Sequence, residues 1–140
     1  MRPSYLVLLT LALFSTAQSA SACSRRGSSD RETTLFWVEQ ALRPGSTVIT
    51  GRVTKVPDAK SRTAIIQTER HWRGEKKDHY EISIVDTCGG MYTREDLGKR
   101  KTVQILSVLG KYGVPSIPDT GLYERLVLTG LRDHQQSPSK

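Results

Sequence analysis

Residues 47–56 read Thr47-Val48-Ile49-Thr50-Gly51-Arg52-Val53-Thr54-Lys55-Val56, and they set the pattern for the whole domain. Apolar and polar residues alternate along them, which is the two-residue period of a β-strand with one face in the core. Gly51 falls on the same side as Ile49 and Val53. A glycine inside a strand is typical of a bulge or a sharp coil, which a small sheet needs if it is to curl into a barrel. The stretch therefore predicts the first strand of a small, strongly twisted sheet.

Four further segments have the composition of strands. Proline, glycine and charged residues at 57–60 and 74–78 mark the turns that flank the second strand. In that strand every other residue from Ala64 to Trp72 falls on one side, so we expect Trp72 to face the barrel interior together with Ile66. The remaining strands are predicted at 64–72, around Tyr80, Ile82 and Ile84, at 102–109 and at 122–128.

One short helix precedes the strands. Leu35, Val38 and Leu42 recur at helical spacing, and a Pro-Gly pair ends the run, so we predict a helix at 34–42. The segments expected to lack regular structure are the flexible start at 23–33, the connector at 92–101 apart from one helical turn, the loop at 110–121, and the disordered tail at 132–140.

Five strands, one short helix and the strong twist cues predict an all-β domain at 34–131. Its expected fold is a five-stranded OB-fold-like Greek-key barrel. A small β-sandwich is the alternative. The sequence argues against a parallel α/β fold, because no helical run of adequate length separates successive strands.

The first 22 residues have the three parts of a secretory signal peptide. Arg2 supplies a positive charge, residues 6–14 form an apolar run, and Ala20-Ser21-Ala22 provides the small residues of a cleavage site. The apolar run is too short to span a bilayer, which takes about 20 apolar residues. We therefore expect export to the periplasm or the extracellular space, and a mature chain that begins at Cys23.

Cys23 and Cys88 are the two cysteines, and three fates are open to Cys23. A disulfide between them is favoured, because exported proteins meet an oxidising environment and the cysteine count is even. Acylation, as in a bacterial lipoprotein, would instead anchor the protein in the envelope. The third fate is a free thiol. Lipidation and disulfide formation use the same sulfur, so these two exclude each other.

The chain is basic, with 21 Lys and Arg against 14 Asp and Glu. Residues 1–22 hold one of the basic residues, so the mature chain carries 20 against 14, a net charge of +6. This balance favours contact with acidic surfaces such as anionic lipid, polysaccharide or an acidic protein, or it serves solubility alone. The length of the mature chain indicates one domain, which we expect to be a monomer.

The sequence carries no pattern typical of an enzyme. Gly-x-Ser-x-Gly, a phosphate loop and His-Glu-x-x-His are all missing, so we expect no catalytic residues, no cofactor and no metal. His71, His79 and Cys88 lack the close spacing of metal ligands. Trp72 and Tyr80 are the aromatics that could stack on nucleic-acid bases, but an inward-facing Trp72 argues against nucleic acid as a partner.

Three short motifs remain: 48–53 with the pattern Val-x-x-Gly-Arg-Val, 70–74 with Arg-x-Trp-Arg-Gly, and Cys88-Gly89. Together they resemble the bacterial proteins related to tissue inhibitors of metalloproteinases. The likeness covers residues 34–108, and it implies an exported OB-fold domain. Arg73 stands where that family usually has lysine.

The resemblance also implies a binding mode. In the animal inhibitors the mature N-terminal cysteine is bridged to a distant cysteine, and its α-amine and carbonyl chelate the zinc of the target protease. The next residue enters the specificity pocket. By position Cys23 would contact the target zinc, Cys88 would be its disulfide partner and Ser24 would be the pocket residue. Arg25 stands where that family has a second cysteine.

The expected function is therefore that of an exported, non-catalytic binding domain. Its partner is a zinc metalloprotease, bound through Cys23, or another envelope or extracellular protein, and the bridge could also serve only as a structural staple. The alternative is an envelope lipoprotein, or a polyanion- and surface-binding module, anchored through Cys23. In that case alone we expect contact with a membrane.

Overall fold

The computed structural model describes residues 28–83 and 92–136. A 3-10 turn at Arg94–Asp96 lies in the connector that was predicted to hold a helical turn. The elements in chain order are α1 (Asp30–Leu42), β1 (Thr47–Lys55), β2 (Thr63–Arg73), β3 (His79–Ser83), β4 (Arg100–Val108), β5 (Lys111–Gly113) and α2 (Thr120–Gln136).

The strands form a closed barrel in the order β1-β2-β3-β5-β4, and β4 pairs with β1 to close it. Strands β3 and β5 are parallel, and the other neighbours are antiparallel. Closure gives each of the five described strands a neighbour on both sides. The prediction of a five-stranded OB-fold-like barrel is confirmed, and two helices pack outside it.

The last element is a helix, so the predicted strand at 122–128 is wrong. Tyr123, Val127 and Leu131 lie four residues apart and all are buried, which is the spacing of one helix face. Asp119 begins the helix, since its Oδ1 accepts a hydrogen bond from a backbone N–H of the first turn at 2.8 Å. Over the shorter window the apolar residues occupy both strand faces, which is also the pattern of a buried strand.

The fifth strand lies in the segment that was predicted as a loop. β5 has only three residues, and it fits between β3 and β4. Tyr112 pairs with Ile82 of β3 and with Ser107 of β4. Three residues are too few for a two-residue period to stand out from the surrounding loop.

Helix α1 begins earlier than predicted, and α2 runs into the segment that was expected to be a disordered tail. Ser29 caps α1, because its Oγ accepts from the Glu32 N–H at 3.2 Å while its own N–H donates to Glu32 Oε2 at 2.7 Å. The helix therefore starts at Asp30, inside the segment that was expected to be flexible. Helix α2 continues to Gln136, so residues 132–136 of the expected tail are helical.

Gly51 lies where β1 and β2 approach closely. A Cβ atom at this position would stand 2.6 Å from the backbone oxygen of Gln67 and 2.6 Å from Cγ2 of Ile66. The pairing register of the two strands shifts between Thr50 and Gly51. The bulge predicted from Gly51 is therefore confirmed, and the glycine is required by the close approach.

Bulges in β2 reverse the expected orientation of Trp72. Thr50 pairs with Arg70 and Gly51 with Thr68, so Glu69 is an extra residue relative to β1. Trp72 is a second extra residue, because its two neighbours pair with consecutive residues of β1. The extra residue at Glu69 shifts the alternation by one position, so the even-numbered residues that follow it, beginning with Arg70, face outward. The expected inward orientation of Trp72 is wrong, and its indole lies on the outer wall.

Two apolar clusters hold the described parts of the chain together. One fills the barrel, and the other joins the outer wall to both helices, with Trp72 at its margin. The buried members of the barrel cluster are Ile49, Val53, Ala64, Ile66, Tyr80, Ile82, Tyr92, Ile105 and Val114. The buried members of the outer cluster are Val38, Ala41, Val48, Tyr123, Val127 and Leu131.

Across 28–83 and 92–136, neither helix has the length and apolar character needed to cross a membrane.

Candidate functional site

Cys23, Ser24 and Cys88, the residues expected to form the binding site, lie outside the described residues. The disulfide, the target-zinc contact and the signal peptide therefore remain predictions. The described residues nearest to the two cysteines in sequence are Ser28 and Tyr92. Their surroundings show where each cysteine-bearing segment leaves the barrel domain.

Ser28 lies beside the first turn of α1, and its Oγ is 2.9 Å from Oγ1 of Thr33. One residue further, Thr34 is fully buried, and its Oγ1 accepts a hydrogen bond from the Asp119 N–H at 3.2 Å. Asp119 is the residue that begins α2. The chain therefore enters α1 next to the N-terminal end of α2.

Tyr92 is the first described residue after 84–91, and it lies in the barrel. It is 7% exposed and belongs to the barrel cluster. Burial raises the pKa of its hydroxyl well above the usual range, and the carboxylate of Asp96 adds to the rise. Tyr92 also lines a cleft of about 290 Å³ together with Thr120 and Glu124 of α2. The start of α1 and Tyr92 thus both lie beside the N-terminal half of α2.

A chain of hydrogen bonds ties the barrel wall to α2 in the same region. The Trp72 indole N–H donates to Oγ1 of Thr50 at 2.8 Å, and that oxygen is 2.8 Å from Oγ1 of Thr102. The Thr102 hydroxyl donates to Glu124 Oε1 at 3.0 Å. One consistent direction satisfies each donor in turn, so the two buried threonine hydroxyls are both paired.

Arg73 fixes the other end of α1. Its Nη1 donates to the backbone oxygens of Leu42 at 2.6 Å and of Arg43 at 3.1 Å, where the helix ends. A cation that pairs with the last carbonyls of a helix stabilises that helix. Arg73 therefore has a structural role at the position where the resembling family has lysine.

Two arginines contact Glu69 on the outer wall of the barrel and a third follows it in sequence, and we call Arg52, Glu69, Arg70 and Arg100 the arginine patch. Arg52 and Arg100 are cross-strand neighbours on β1 and β4. The Glu69 carboxylate lies between them, 2.9 Å from Nε of Arg52 and 2.7 Å from Nε of Arg100. Arg70 follows directly, and its guanidinium carbon is 3.8 Å from the centre of the Trp72 ring.

The bulge creates this patch. In an uninterrupted strand Glu69 and Arg70 would point to opposite faces. The extra residue at Glu69 lets the carboxylate reach Arg52 and Arg100, while Arg70 pairs with Thr50 on the same wall. The sequence prediction missed Arg52, Glu69 and Arg100 as a group. Gly51 carried the available signal, because the bulge it requires brings them together.

The histidines do not come together with other metal ligands. Nε2 of His71 is 2.9 Å from the backbone oxygen of Glu75. His79 is exposed and lines an open groove of about 760 Å³ with Arg62, Lys77 and Tyr112. Within 28–83 and 92–136, no three His, Cys, Asp or Glu residues could hold a metal ion together.

The two aromatics considered for base stacking lie on different sides of the barrel wall. Tyr80 is fully buried in the interior, and its hydroxyl donates to the backbone oxygen of Glu75 at 2.6 Å. Burial raises the pKa of this hydroxyl. Trp72 lies outside, with the Arg70 guanidinium over its ring. The two rings therefore form no common stacking platform.

No protein family matches the sequence, and comparisons with curated proteins and with solved structures find no significant match.

Proposed function

We propose that this protein is an exported, non-catalytic binding domain in which Cys23, bridged to Cys88, presents its α-amine and carbonyl to the zinc of a metalloprotease. The observation that carries the proposal is the convergence at α2. Beyond Ser28 the start of α1 is bonded to Asp119 through Thr34, and Tyr92 lines a cleft with the N-terminal half of the same helix. The motifs at 48–53 and 70–74 agree with the proposal, because they form β1 and the end of β2 in the barrel.

The lengths of the connecting segments permit the bridge. Cys23 is five residues before Ser28, and Cys88 is four residues before Tyr92. An extended chain covers about 3.3–3.6 Å per residue, so these segments reach about 17 Å and about 14 Å. A disulfide requires Cα atoms about 4.4–6.8 Å apart. Segments of this reach are compatible with a bridge between Cys23 and Cys88.

The chemistry at the mature N-terminus suits an open zinc position. An α-amino group has a pKa of about 7.7–8.0, so a large fraction is neutral near pH 8 and can donate its lone pair to zinc. A disulfide that holds the edge in place before binding lowers the entropy cost of ordering it. The closed barrel and the outer cluster provide the rigid support for that edge.

A variant with one alanine added before Cys23 tests the proposal. The extra residue turns the chelating amine into an amide, which cannot bind zinc, while the disulfide and the barrel stay as they are. We expect the parent protein to inhibit a zinc metalloprotease, with thermolysin and a collagenase as probes, and the extended variant to lose that inhibition. An alanine added after Lys140 serves as the control, because it lengthens the chain by the same residue and keeps the free amine of Cys23. Equal inhibition by parent and extended forms would contradict amine chelation.

The arginine patch favours a second candidate, a surface- or polyanion-binding module of the envelope. This module would use Cys23 as a lipid anchor, and lipidation would exclude both the bridge and amine chelation. The two candidates therefore make opposite predictions for the covalent state of one sulfur.

A further inference from the structure

The arginine patch places three permanent positive charges around one carboxylate, which leaves a net charge of +2 on a small area of the outer wall. We propose that this patch binds the sulfate or carboxylate groups of an anionic polysaccharide. The site consists of described residues only. It does not depend on the state of Cys23, and the protease proposal does not depend on it.

Two like charges of the arginine patch lie opposite each other on neighbouring strands. Arg52 and Arg100 occupy directly opposed positions on β1 and β4. Like charges at such positions destabilise a sheet, by an amount that Glu69 offsets through its contacts with both. A sheet that needed only stability would be better served by a neutral residue at either arginine. The two opposed arginines therefore make this wall positive at some cost to stability.

The patch keeps donors available for a ligand. Arg52 uses Nε for Glu69 and Nη1 for the backbone oxygen of Gly98, at 2.8 Å. Arg100 contacts Glu69 through Nε, and within the described chain its terminal nitrogens have no further hydrogen bond. The Arg70 guanidinium stacks on Trp72. Planar guanidinium groups held in this way bind sulfate and carboxylate through paired N–H donors.

The shape of the surface favours a polysaccharide over a membrane. The patch crosses three strands of a convex barrel wall, along which a linear polymer can lie. A flat bilayer would touch such a wall only along a narrow line, and a lipid-binding surface usually adds apolar side chains that enter the membrane. Strands β1 and β2 expose no large apolar residue, and Leu97, 53% exposed, is the one such neighbour of the patch in the described chain.

Glu69 competes with the ligand for the same donors. A sulfate or carboxylate that approaches the patch meets the repulsion of this carboxylate and shares the guanidinium groups with it. Glu69→Gln removes the negative charge and keeps an acceptor oxygen between the arginines. The proposal therefore requires that Glu69→Gln strengthen polysaccharide binding, although the loss of two ion pairs lowers the thermal stability of the protein.

Binding of the full-length protein to dextran sulfate and to alginate tests the site, with neutral dextran as the blank. We expect Arg70→Gln and Arg100→Gln each to weaken binding about threefold to fivefold, the range of a surface ion pair. We expect Glu69→Gln to strengthen it by a similar factor. Binding should also weaken as salt is raised through the range in which the Debye length falls to about 8 Å.

Two matched variants separate the patch from general basicity. Arg62→Gln and Glu81→Gln make the same charge changes in the groove beside β3, away from the patch. If they change binding as much as the patch variants do, or if Glu69→Gln fails to strengthen binding, the site is wrong. Vesicles that contain anionic lipid form the last arm. If they bind in preference to both polysaccharides, and Leu97→Ser abolishes that binding, the ligand is a membrane and the proposal is overturned.

Discussion

Gly51 is required in β1 because no side chain fits where β1 and β2 approach most closely. The contacts it avoids are with backbone oxygen and with a fully buried isoleucine, neither of which can move freely. The register shift at Gly51 leaves Glu69 as an extra residue in β2, and this bulge reverses the orientation of Trp72. A strict two-residue alternation cannot predict a side chain beyond a bulge, which is why the sequence placed Trp72 inside the barrel.

Replacement of this glycine should be costly. We expect Gly51→Ala to lower the free energy of unfolding by about 2 kcal/mol, within the range for overpacked cores. The measurement is chemical denaturation followed by circular dichroism. Gly121→Ala is the control, because a Cβ there meets only Asp119 Oδ1 at 3.6 Å and alanine favours the helix. A Gly51→Ala protein as stable as the control would show that the strands are not so close.

Helix α2 shows what a short window of sequence leaves open. The strand prediction rested on seven residues, 122–128, while the buried face of the helix becomes clear only when Leu131 is included. Strands β1 and β2 were predicted to within one residue at each end, and α1 was predicted correctly at its C-terminal end, because each has a periodic run and a clear stop. The three-residue β5 offered no such run, and its pairing depends on tertiary contacts.

A pair of substitutions in α2 distinguishes the two structures. In a strand Val127 and Thr129 would share a face, whereas in a helix they point apart. Val127 is fully buried and Thr129 is exposed, with its hydroxyl bonded to the backbone oxygen of Arg125 at 2.9 Å. We expect Val127→Ala to cost about 2 kcal/mol of stability. Thr129→Ala should change it by no more than about 0.5 kcal/mol. Similar losses in urea denaturation would contradict the helix.

The whole domain combines a predictable barrel with a binding edge that sequence alone suggests. Strands β1 to β4 follow from periodicity and turn residues, whereas β5 does not. The packing of both helices on one wall does not, because it depends on which outward residues of β1, β2 and β4 become buried. The arginine patch was missed for the same reason. Arg52, Arg100 and the adjacent pair Glu69 and Arg70 are far apart in sequence and come together only through strand pairing.

Alkaline pH should weaken the fold as a unit, because two buried tyrosines hold the helices and the connector to the barrel. Burial raises the pKa of both Tyr92 and Tyr123 well above the usual range. A pKa raised in the folded state favours the protonated native form, so this stability is complete below about pH 10 and is lost as the pH rises toward the folded pKa.

Urea midpoints between pH 9 and pH 11.5 check this expectation. They should fall with rising pH, and Tyr123→Phe should reduce the slope, because it removes one of the buried ionisable hydroxyls. Trp37→Phe is the control and should leave the slope unchanged, because it alters an aromatic ring of the outer cluster without removing an ionisable group. Midpoints that stay level across this range, or slopes that both variants alter equally, would contradict the burial of the two hydroxyls.

The covalent state of Cys23 tests the central claim most directly. The measurement is intact-mass and N-terminal analysis of the protein after export from a bacterial host. We predict a chain that begins at Cys23 and is lighter than the reduced form by the two hydrogens that a Cys23–Cys88 bridge removes. A diacylglycerol adduct on Cys23, a fully reduced chain, or a different first residue would contradict the proposed N-terminal binding edge.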